Sequence, residues 1–163
     1  MKAYNVIDVK GFMSKLLVQN VFDQFLLSEL TMNTFGRFEI IGKLNYEYYT
    51  AEEQELLNGR IYLEWAEVKP YIYQLVKGNK TPLSFHISLM LNDKAIEDLI
   101  IRTGVMVKST EVTGLFFHIR YENRELKIIT GSGLKIFTTD RSLEYAWDEQ
   151  VLELLRNQDI AVT

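Results

Sequence analysis

The chain has 163 residues, of which 47% are hydrophobic and 25% charged, with two prolines and nine glycines; this is the composition of an ordered protein of about one domain, not of a disordered or fibrous chain. Eighteen basic residues against 22 acidic ones give a formal net charge of -4, which offers no global attraction to nucleic acid or to an anionic membrane. The lack of cysteine excludes disulfides, thiolate nucleophiles and cysteine-ligated metal centres.

Residues 1–8 lack the apolar stretch of a signal peptide, and no apolar run approaches the roughly 20 residues that span a bilayer. The expectation is a soluble cytoplasmic protein with no membrane association. Residues 3–8 alternate as a short strand, and Asp8 offers an N-cap carboxylate to a helix over residues 9–19, with Phe12 and Leu16 inward and Lys10 and Lys15 outward. β-Branched and aromatic residues over 21–31 and alternation over 34–44 predict two strands joined in a hairpin at Met32-Asn33. Thr50-Ala51-Glu52-Glu53 matches a capping box, which opens a short helix that Asn58-Gly59 stops.

Trp65, Val68, Ile72 and Leu75 recur at helical spacing over 64–77, although Pro70 removes a backbone donor and suits the start or end of a helix better than its middle. A basic turn at 77–82 leads to a strand in which Phe85, Ile87, Leu89 and Leu91 alternate with Ser84, His86, Ser88 and Met90. Asn92 or Asp93 caps the next helix, which carries Ala95, Ile96, Leu99 and Ile100 and ends before Gly104. Residues 105–113 read as a strand or a loop. Three strands over 115–122, 125–130 and 134–139, separated by Asn123-Arg124 and by a Gly131-Ser132-Gly133 turn, predict an antiparallel meander. Asp140 or Ser142 then caps a helix bearing Leu143, Trp147, Val151, Leu154 and Leu155 on one face.

The predicted fold is therefore α+β, a mainly antiparallel sheet with helices on one side. The order strand, helix, strand, strand, short helix occurs in residues 3–57 and again in 84–155. Residues 1–163 thus read as a single domain, with two similar halves at about 1–60 and 83–157 joined by a segment at about 61–82. In element order alone the chain resembles TATA-binding-protein-like domains and the processivity clamps that encircle DNA, with no motif and no functional residue to transfer. The segments Leu75-Val76-Lys77-Gly78-Asn79-Lys80-Thr81-Pro82-Leu83-Ser84-Phe85, Phe137-Thr138-Thr139-Asp140 and Trp147-Asp148 resemble an uncharacterised family of small proteins from Gram-positive bacteria. That resemblance implies no activity, cofactor or catalytic residue.

Chemistry-bearing constellations are sparse. Lys77 and Lys80 bracket Gly78 and Asn79, so two ammonium groups on a flexible backbone are the best candidates to meet an anion. A P-loop needs G-x-x-x-x-G-K-[ST], and a solvated turn is the ordinary reading here. His86 and His118 each sit in a Phe-His-Ile triplet, and they converge only if their strands are neighbours. Thr130-Gly131-Ser132-Gly133 lacks the strand-to-helix context of a hydrolase elbow. Tyr46, Tyr48 and Tyr49 follow a strand and are candidates for an exposed aromatic interface, whereas helical spacing puts Trp65 and Trp147 in the core. No catalytic residue, metal site or cofactor is predicted. The expected function is a non-catalytic interaction module that meets an unknown protein partner or a second copy of itself. A nucleic-acid-associated domain is the alternative, one that the net charge does not support.

Overall fold

In the computed structural model, which describes residues 1–78 and 80–163, the first strand, β1 (Ala3–Asn5), leads into α1 (Val9–Leu17) through Asp8, whose carboxylate accepts from the Gly11 amide at 2.9 Å. Two strands follow, β2 (Leu26–Asn33) and β3 (Arg37–Ile41), then the helices α2 (Ala51–Leu57) and α3 (Trp65–Val76). The strand β4 (Ser84–Met90), the helix α4 (Asp93–Thr103), the hairpin of β5 (Val112–Glu122) and β6 (Glu125–Leu134), and the helix α5 (Ser142–Asn157) complete the chain. Among the described residues the strands form one six-stranded open sheet in the order β1-β6-β5-β4-β2-β3, every pair antiparallel.

The period-2 pattern sets what each face of this sheet carries. Leu30, Met32, Phe85, Ile87, Leu89, Leu115, Phe117, Ile119, Leu126 and Ile128 point to one side. There they are buried with the apolar stripes of α1, α3, α4 and α5 in a single cluster. Both tryptophans lie in this layer, as their spacing predicts, and each indole N–H is satisfied: Trp65 donates to the Leu16 carbonyl and Trp147 to the Phe116 carbonyl, both at 2.9 Å. A bulge between Leu27 and Glu29 keeps Leu27 and Leu30 on the core side while Glu29 points to the other.

Several expectations need correction. Residues 21–25 are turns, not strand, because Phe22 and Phe25 are drawn into the core; the Phe22 ring lies 5.6 Å from Phe12 and 5.4 Å from Phe117. Tertiary burial there overrides β propensity. The β2–β3 turn lies past Met32-Asn33, at residues 34–36. Pro70 is accommodated inside α3. Residues 105–111 hold a short 3-10 turn, and β5 begins at Val112. The expected three-strand meander is a two-strand hairpin, since β6 runs on through Gly131-Ser132-Gly133 and residues 135–139 form no strand. The hairpin's tip is Asn123-Arg124, both at positive φ (51° and 64°), the backbone of a type I′ turn.

The order β, α, β, β, α recurs in the two parts of the chain. Pairing does not repeat with it: β4 lies beside β5, whereas β1 lies beside β6 and far from β2.

Candidate functional site

The side of the sheet away from the core holds His86, His118, Ser88, Arg120, Lys127 and Glu29 on neighbouring strands. Strand register arranges them in rows. One row runs Asn5, Lys127, Arg120, His86, Thr31, Glu39 across the six strands, and the next runs Ala3, Ile129, His118, Ser88, Glu29, Ile41. A third row is apolar, with Gly131, Phe116, Met90 and Leu26, and a charged row at the opposite end holds Glu125, Glu122, Ser84, Asn33 and Arg37. Most of these positions are exposed or half-buried; Ser88 and Met90, at the centre, are buried. Such alternation, buried on one face and open on the other, is what an antiparallel sheet clothed on a single side produces.

At the middle of the face the Ser88 hydroxyl and His118 Nδ1 share a hydrogen bond of 2.5 Å. The His118 ring lies 5.5 Å from His86 and stacks on Phe116 at 5.6 Å with an interplanar angle of 11°. The two histidine strands are thus neighbours, the condition on which their convergence depended. Burial above all, then the Arg120 guanidinium, pushes the His86 imidazole below its ordinary pKa, with Glu29 opposing. His118 is lowered by burial first, then by His86 and Arg120. Both rings are therefore neutral at pH 7, amphipathic plates and not cations.

Gly131, read from sequence as part of a turn, serves this face together with Gly114. A Cβ on Gly131 would stand 3.1 Å from His118 Nε2, and one on Gly114 would stand 2.6 Å from the Phe116 ring. Glycine at these two strand positions gives the aromatic rings room to lie across the sheet.

Chemically the face can bind but is poorly built to react. Ser88 is only 2% exposed, and the backbone amides flanking it lie within a paired central strand, which leaves no preorganised oxyanion donors of the kind acyl transfer uses. Among the described residues no group of three His, Asp or Glu is disposed to hold a metal ion.

The residues singled out from sequence lie elsewhere. Lys77 and Lys80 are exposed and line a cleft of about 610 Å³ with Thr34, Phe35, Leu75 and Leu83; Asn79 between them lies outside the described residues. The tyrosines do not act as one group. Tyr46 is pinned by its hydroxyl, which donates to the Arg60 carbonyl, and Tyr49 is half-buried, edge-on to Tyr48 at 5.5 Å. Tyr48 alone of the three stands out, 85% exposed. Sequence reasoning passed over Glu29, Phe116, Arg120 and Lys127, whose only signal was membership of the outward half of alternating strands.

Fold and face together define an α+β protein with a one-sided antiparallel sheet. The chain matches a family of unknown function, DUF5721, over residues 15–163 and belongs to that family. No curated protein and no solved structure matches it. Among the described residues no helix is long and apolar enough to cross a membrane.

Proposed function

We propose that the protein is a non-catalytic intracellular interaction module that binds another protein surface with the bare face of its sheet. The observation that carries this reading is the apolar strip of Phe116 and Ile129 at one end of the face, lying over the buried Met90 and beside two neutral imidazoles, with the charged rows following on its other side. Apolar and aromatic centres with polar rims are the anatomy of protein interfaces. Absence of cysteine suits a reducing compartment.

The test is a paired capture. A face variant, Phe116→Arg with Ile129→Glu, and a variant on the exposed side of α5, Glu149→Lys with Glu153→Lys, are compared with the parent for the proteins they retain. The reading requires loss of specific partners in the first and retention in the second; equal capture by all three overturns it.

Arg120 and Lys127 next to stacked aromatic rings favour a second reading, single-stranded nucleic acid on the sheet. Glu29, Glu39, Glu122 and Glu125 share the face with three cations, an unfavourable field for phosphates. A salt-dependent mobility shift that Lys127→Ala weakens would establish this alternative, and no shift at low salt would remove it.

A further inference from the structure

Resting on that reading, we infer that the partner is a second copy of this chain, packed face to face through a two-fold axis that runs along the strands between β4 and β5. The argument is the distribution of charge. Arg120 and Lys127 are directly opposed across β5 and β6, as are Glu122 and Glu125, while Glu29 and Glu39 occupy β2 and β3 with Arg37 at the far corner. Like charges directly opposed across a ladder disfavour the pair. None of these residues takes part in an ion pair among the described residues, where the bridges involve Met1, Arg60, Lys69 and Arg141. Each half of the face therefore presents charge that the other half of an identical face would neutralise.

The axis makes this concrete. Rotation about it exchanges β5 with β4, β6 with β2 and β1 with β3 and leaves each row at its own height. Lys127 then stands over Thr31 of the other copy, between that copy's Glu29 and Glu39. Glu125 falls beside the other copy's Arg37, and Phe116 stacks on its Met90. Every contact occurs twice, as an isologous interface requires. Six strands about 4.8 Å apart and four rows about 7 Å apart give a footprint of roughly 500 Å² on each copy, near the lower bound for a specific interface. A reversible, salt-sensitive dimer is the expected product.

Sedimentation equilibrium over a concentration series tests this with two charge-reversed variants, one carrying Arg120→Glu and Lys127→Glu, the other Glu29→Lys and Glu39→Lys. The parent dimerises, each variant alone is weakened at least about a hundredfold, and an equimolar mixture of the two regains dimer because an acidic face then meets a basic one. Circular dichroism checks that both variants are folded, and the parent's loss of dimer with added salt provides a measurement that needs no variant. A parent that stays monomeric throughout, a dimer indifferent to both reversals, or a mixture that fails to pair overturns the proposal. If the parent is monomeric and the paired capture still loses partners with Phe116→Arg and Ile129→Glu, self-association falls alone and the face belongs to a different protein.

Discussion

Phe116 and Phe117 are consecutive residues of β5, and they sit in two different media. Phe117 is fully buried against Phe22 and Phe25 beneath the helices, whereas Phe116 lies half-buried on the bare face over Gly114 and against His118. The contrast teaches that one strand serves stability and recognition at alternate residues. The apolar payload of the chain must therefore be divided between two accounts before any aromatic residue is given a role.

The largest effect that can break this comparison is Phe117→Ala. Loss of a core ring costs about 3–5 kcal/mol, read as a drop of roughly 10 °C in Tm for a chain of this size; a smaller loss than that of Phe116→Ala would invert the two faces. Thr130, fully buried on the covered face, comes next. Its hydroxyl donates to the buried Asp148 carboxylate at 2.5 Å, so Thr130→Val leaves that acceptor short of a partner and costs about 2 kcal/mol in chemical denaturation. Phe116→Ala follows at about 1 kcal/mol or less by the same measurement, with its main consequence in binding.

Acidity sharpens the contrast further. His86 and His118 have folded pKa values below the ordinary 6.5, so the unfolded chain binds more protons, and stability falls as pH drops below about 6.5 toward the folded values. His86 and His118 face each other, Arg120 and Glu29. Replacing both histidines with glutamine flattens the Tm profile between pH 7 and 5.5, and an unchanged slope there would show that other groups carry it. Smallest of all are Lys77→Ala, Lys80→Ala and Tyr48→Ala. These exposed positions shift denaturation midpoints by amounts within about 0.5 kcal/mol.

Legibility in the sequence followed the range of the interactions. Local signals held. The capping box at Thr50 and Glu53 forms with both of its bonds, Asn92 caps α4, and Gly104 ends it in the left-handed region. The alternation in β4 placed Ser84, His86, Ser88 and Met90 together on one face. What a single chain could not reveal was which strand lies beside which, so Glu29, Ser88, His118 and Ile129, remote in sequence, emerge as one row only from the register. Gly131 and Gly133 misled for a related reason. Glycine in a strand and glycine in a turn look alike until the neighbour that crowds the vacant Cβ position is seen, the His118 ring at Gly131 and the Thr113 hydroxyl at Gly133.

The Asn123-Arg124 turn has a kinetic meaning. It closes the most local of the sheet's long pairings, while β1 must find β6 across more than a hundred residues, and early structure gathers where loop closure costs least. On this ground the hairpin of β5 and β6 is the expected nucleus, with the β2–β3 hairpin, closed over residues 34–36, as the other local pairing. Arg124 holds a left-handed backbone that glycine adopts more easily. Arg124→Gly accordingly raises the refolding rate in a chevron and leaves unfolding nearly unchanged, whereas a change confined to the unfolding arm would move the nucleus elsewhere.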